Sequence, residues 1–139
     1  MTAPNPVFRC GSAEVRASSR YLATVVEVRG RVTTANLAGV LEHTQRFLLC
    51  DTPVILDLSE LDSIAPEGAA LLVAIDDAST ASNVEWAVII GWAARAIFDV
   101  TVRERMLPVR DSVTDALHEF ADARRVRREL LLPIVLNSA

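Results

Sequence analysis

The chain has 139 residues, of which 51% are hydrophobic and 23% charged. This fits one globular domain whose core needs no disulfide or metal, and it excludes a chain disordered by composition. A formal charge of -4 gives no basis for nucleic acid or an anionic membrane surface as partner.

In chain order, the opening MTAPNPVFRC lacks the apolar core of a secretory signal, and residues 1–11 read as a loose arm. A short strand is predicted around Ser12 to Ala17, turning through Ser18 and Ser19 into YLATVVEVR at 21–29. That second segment is rich in β-branched residues and partly alternates, as a strand does. Gly30 ends it, and Thr33 or Thr34 is the expected N-cap of the next helix. Helical spacing there puts Leu37, Val40, Leu41, Thr44, Phe47 and Leu48 on one face. Pro53 opens VILDL at 54–58, an unbroken apolar run that suits a strand covered on both faces. Val54 and Leu56 are expected on one face, with Ile55 and Leu58 covered otherwise. DSIAPEG at 62–68 is a polar turn, and a helix follows Pro66 to about Ser79. A strand at 84–90, a helix from Ala93, a short strand near 106–109 and a last helix capped by Asp111 or Ser112 complete the order. Alternating strands and helices predict a mixed, mostly parallel sheet flanked by about four α-helices.

The chemistry of a catalyst is missing from this pattern. Cys10 and Cys50 stand far apart and read as small apolar residues. His43 and His118 have no partners at ligand spacing and read as structural or solvent-facing. No nucleophile elbow, dinucleotide fingerprint or Walker loop occurs. Asp76 and Asp77 are adjacent in a helix and point apart, so they are no catalytic dyad. The basic run RRVRREL closes a helix, where cations suit the negative dipole end. Trp86 and Trp92 read as packing residues. No catalytic residue, metal site or cofactor is expected. No apolar run reaches the roughly 20 residues of a spanning helix, and LLLPIVLNSA is too short, so a cytoplasmic location is expected.

The stretch VILDLSELDSIAPEGAALL resembles the signature of the STAS domain, named for sulfate transporters and anti-sigma factor antagonists. The family pattern is an apolar strand, D-L-S-G, an apolar pair, then D-S-S-G opening a helix. VEVRGRVT resembles the family's first long strand ending in G-x-x-D, and ARAIFDVTVRERMLPVRDSVTDAL its closing helix, short strand and final helix. The resemblance implies one STAS-like domain at 12–126, with a tail at 127–139. It implies a module that binds serine-kinase anti-sigma factors and loses that binding when the first serine of D-S-S-G is phosphorylated. In this chain Ala65 stands at the family aspartate, Pro66 at the phosphorylated serine and Glu67 at the second serine, while Thr33 replaces the aspartate of G-x-x-D. Ser63, three residues ahead of Pro66, is a weak replacement acceptor. Glu67 is either a plain first-turn acid or a standing imitation of phosphate. The expected partner surface is Asp62, Ser63, Ala65, Pro66, Glu67 and Gly68 with Thr33 and Thr34. The alternative is an accessory subunit of a transporter ATPase.

Overall fold

A computed structural model describes residues 7–137. Its strands are β1 (Val7–Cys10), β2 (Ala13–Arg20), β3 (Ala23–Val32), β4 (Val54–Asp57), β5 (Leu61–Ile64), β6 (Trp86–Ile89) and β7 (Val109–Arg110). Its helices are α1 (Leu37–Gln45), α2 (Ala69–Ser82), α3 (Trp92–Arg105) and α4 (Val113–Asn137), with short 3₁₀ turns at Arg46–Leu49 and Pro66–Gly68. The strands form a single sheet in the order β1-β2-β3-β4-β6-β7, and β5 pairs with β3. The pairs from β3 to β7 are parallel, while β1 and β2 add an antiparallel hairpin at one side. The mixed α/β architecture expected from the sequence is present.

The apolar run at 54–58 is covered on both faces, as its composition requires. Val54, Leu56 and Leu58 join Val26, Val28 and Val88 under α1, α2 and α3, where Val40, Leu72, Ile75 and Phe98 close the core. Ile55 faces the other side, where Ala116 and Phe120 of α4 cover it with Val25 and Ile89. Leu58 was expected with Ile55; strand alternation puts it with Val54 and Leu56 instead. The helical face expected at 37–48 is inward, with Val40, Thr44 and Leu48 buried.

Several boundaries move. Residues 7–10 of the expected arm pair with β2 as a strand, and residues 1–6 lie outside the described residues. The hairpin turn falls at Tyr21 and Leu22, because Ser18 and Ser19 pair with Val25 and Thr24 inside the ladder. The expected tail boundary at 127 falls within α4, which continues to Asn137. The first three residues of the expected polar turn at 62–68 belong to strand β5. Ser112 caps α4 as expected, its Oγ accepting the Asp115 N–H at 3.0 Å. Trp86 is buried and donates its indole N–H to Asp76, but Trp92 is exposed. Asp76 and Asp77 are both held by the Arg105 guanidinium, at 3.1 and 2.9 Å.

His43 takes a structural place. Its ring stacks on Phe8 of β1 with centroids 4.1 Å apart and meets the edge of Phe47 at 5.7 Å. Nδ1 is buried and has no hydrogen-bond partner among the described residues. Desolvation, then the nearby Arg46 charge, hold its pKa below the ordinary histidine value. The folded form therefore resists a proton that the unfolded chain accepts. The contribution of this packing is complete above about pH 6.5 and is lost as pH falls from there through the lower folded value. Urea midpoints measured from pH 7.5 to 5 should decline, and His43→Phe, which keeps the stack without titrating, should flatten that decline.

Candidate partner-binding edge

β3 is long enough to serve two strands on one side. β4 pairs with Thr24 to Glu27, and β5 pairs further along with Gly30 to Val32. Between them the chain steps outward. Asp57 fixes that step, its Oδ1 accepting both the Ser59 N–H at 3.0 Å and the Ser59 hydroxyl at 2.6 Å. Leu58 stays buried and donates its N–H to the Ile89 carbonyl at 2.9 Å. β5 then buries Leu61 and Ile64 and exposes Asp62 and Ser63.

The two segments singled out in the sequence meet here. Val32 pairs with Ile64, and the next residue across, Ala65, donates its N–H to the Val32 carbonyl at 2.8 Å. Thr33 thus leaves β3 at the level where Pro66 opens the next turn. Ala65 is extended, with φ -65° and ψ 151°, as a residue before proline prefers. Pro66 occupies the first position of a 3₁₀ turn that leads into α2, where a missing N–H is tolerated. Gly68 has ordinary helical backbone angles, so conformation does not demand glycine. Space does: a Cβ there would run into Cγ1 and Cδ1 of Ile64. Thr33, Thr34, Asp62, Ser63, Pro66 and Glu67 are exposed, Ala65 is half-buried and Gly68 is buried. Asp62 and Glu67 make no ion pair among the described residues.

Asn36 holds the Thr33 side of this edge, and the sequence reading missed it. Only 5% exposed, it accepts the Thr33 N–H on Oδ1 at 2.8 Å. Its Nδ2 donates to the carbonyls of Cys10 at 3.0 Å and Arg31 at 2.9 Å. Thr33 Oγ1 accepts the Asn36 N–H at 3.4 Å in return, and its carbonyl takes the Leu37 N–H at 3.0 Å. Thr33 thus closes the turn ahead of α1, but the regular helix starts at Leu37 with Asn36 at its N-cap, not at Thr33 or Thr34 as expected. A threonine followed three residues later by a side chain able to bond back is a capping-box pattern, the one signal available for Asn36.

A mixed sheet of this order, with a strand-to-helix junction after β5, has the architecture of a STAS domain. The STAS domain family profile matches residues 13–116, and the chain belongs to that family. It is 40% identical over 142 aligned positions to osmosensory protein A of Mycobacterium tuberculosis, covering 97% of this chain and 88% of that protein. Among solved structures, an anti-sigma factor antagonist from Mycobacterium paratuberculosis superposes with a TM-score of 0.66 at 16% identity, over 87% of this chain and 99% of that one. The unphosphorylated anti-sigma factor antagonist SpoIIAA gives 0.60 at 12% identity, over 81% and 96%. A region of SLC26A9 gives 0.64 at 13% identity, covering 78% of this chain and 21% of that one. These three share the fold.

Removing the Asn36 side chain takes the acceptor from the Thr33 N–H and a donor from the Cys10 and Arg31 carbonyls, of which Arg31 keeps the Ser12 hydroxyl. Asn36→Ala should lower unfolding stability in urea by about 1–3 kcal/mol, the range for unsatisfied buried groups. Thr34→Ala, on the exposed side of the same turn, should stay within about 0.5 kcal/mol of wild type.

Proposed function

We propose that this chain is a non-enzymatic protein-interaction module of the anti-sigma factor antagonist kind, regulating sigma-factor-dependent transcription without the usual serine switch. The observation that carries this reading is the position of Pro66. In the family pattern it aligns with the acceptor serine, and it lies exposed just past the β3–β5 pairing that ends at Val32 and Ile64. Asp62, Ser63, Ala65, Pro66, Glu67 and Gly68 supply the rest of the contact surface. The partner is a serine-kinase anti-sigma factor, met in the cytoplasm. Proline has no hydroxyl, so the partner's kinase activity has no substrate at this position. The likeness to an osmosensory protein supports osmotic stress as the signal that such a module serves.

A second reading follows from the SLC26A9 likeness. There a region of this fold is part of a longer chain, so the fold also serves inside larger proteins, and the alternative is an accessory subunit of a transporter ATPase. Purified anti-sigma kinases and transporter ATPases from the same genome, titrated separately, distinguish the two.

Ser63 is the hydroxyl nearest Pro66 in the loop, but it lies within the β5 ladder opposite Arg31. Kinases select position tightly, because a displacement of about 1 Å can lower the rate 10²-fold. Incubation with a serine-kinase anti-sigma factor and ATP, followed by phosphopeptide mass spectrometry, should find no phosphate between residues 61 and 68. Stoichiometric phosphate on Ser63 would restore a displaced switch. Glu67 is then a plain first-turn acid. Glu67→Ser should leave calorimetric affinity within a few-fold, and a tenfold gain, about 1.4 kcal/mol, would make it a phosphate imitation.

A further inference from the structure

We propose that Trp92 is the anchor of the partner surface and that it seats in an indole-sized slot on a basic protein surface. This rests on the partner-binding reading above and adds its central contact and the sign of its charge.

Trp92 is the first residue of α3 and is 89% exposed. The chain's other tryptophan, Trp86, is 7% exposed and hydrogen-bonded, so the fold has no general need to display indoles. The place of Trp92 is fixed by its neighbour. A Cβ on Gly91 would lie 2.8 Å from the Ser59 carbonyl oxygen and 3.0 Å from its Cα, so the backbone before α3 is wedged against the turn that leads into β5. α3 also packs on β5 itself. The indole therefore starts from the same edge as Asp62 to Gly68. Tyr21, also 83% exposed, sits in the β2–β3 turn at the other end of β3.

The charge of the segments that meet at this edge is one-sided. The segments 30–34, 57–68 and 91–95 carry carboxylates at Asp57, Glu60, Asp62 and Glu67 against guanidinium groups at Arg31 and Arg95. Glu60, Asp62 and Glu67 are exposed and make no ion pair among the described residues. A large amphipathic ring exposed on an edge that also carries exposed charges suits an interface hot spot. An excess of acid selects a basic partner surface and speeds its encounter.

The test uses purified serine-kinase anti-sigma factors from the same genome, titrated calorimetrically against the full chain. Trp92→Ala should weaken binding at least tenfold, as truncating a hot-spot tryptophan does. Its urea midpoint should equal that of wild type, because the side chain is in solvent. Trp92→Phe, which keeps a ring, should retain binding within about fivefold. Tyr21→Ala should change affinity by less than about twofold. Wild-type affinity should fall as salt rises from about 50 to 300 mM. If wild type binds and Trp92→Ala binds within twofold of it, the anchor is wrong while the partner reading stands. Affinity that does not vary with salt overturns the basic partner. If wild type binds none of these proteins, both readings fall together.

Discussion

The partner edge depends on a single piece of backbone, the last three residues of β3. β2 occupies one side of β3 along its length, and the other side is divided between β4 and β5. That division forces the chain to leave the sheet after Asp57 and return at Leu61. Gly30, with φ +87°, lets it happen: the register shifts beside it, and a Cβ there would run into the Ser12 carbonyl oxygen. Once β5 is registered, the bond from Ala65 to the Val32 carbonyl aligns the exit of β3 with the start of the Pro66 turn. A slip of one residue would turn Leu61 and Ile64 out of the core. The two loops are thus placed by one ladder and cannot drift independently.

On the proposed reading, this construction explains how the junction folds without the family's acceptor serine. The glycine that closes the motif is required by Ile64, a packing neighbour with no part in phosphate chemistry. The first helical position needs a residue that tolerates an unpaired N–H, and proline meets that need by having none. Glu67 in the first turn faces the positive end of the helix dipole, a gain of about 0.3–1 kcal/mol at the surface. Each residue from 65 to 68 therefore has a folding role that stands without a switch.

Much of this was legible in the sequence because long apolar runs leave few options. VILDL and VEWAVII could only be covered strands, and they lie parallel at the centre of the sheet. The helices at 69–82 and 92–105 follow from spacing and from the residues at their ends. What escaped was short or polar. β1 and β5 have four residues each, too few to establish a period, and β5 exposes its two central polar residues. LDSI looks like a loop because its strand character comes from pairing with β3, which is not encoded locally. The edge residues Thr33, Pro66 and Glu67 were visible through family spacing. Asn36 was not, because its bonds to Cys10 and Arg31 join β1, β3 and α1, which only the fold brings together. Trp92 was misplaced for a related reason. Composition predicts that tryptophan is buried, and nothing local says that Gly91 is pinned to Ser59 so that the next side chain projects outward.

The exposed indole and the missing serine bear on the same question. In the family, the added phosphate works by changing charge at this helix start. On the proposed reading no hydroxyl stands at the acceptor position, and Asp62 and Glu67 put two exposed carboxylates on the edge. On the proposed reading, the strength of the contact is then a fixed property of the chain, and occupancy follows the concentrations of the two proteins. A fixed contact needs affinity that does not depend on a removable charge. A ring burying 150–250 Å², as aromatic side chains do on docking, supplies that in a form insensitive to phosphorylation and only weakly sensitive to salt. The acidic rim then governs encounter rate and partner choice, and the indole governs how long the complex lasts.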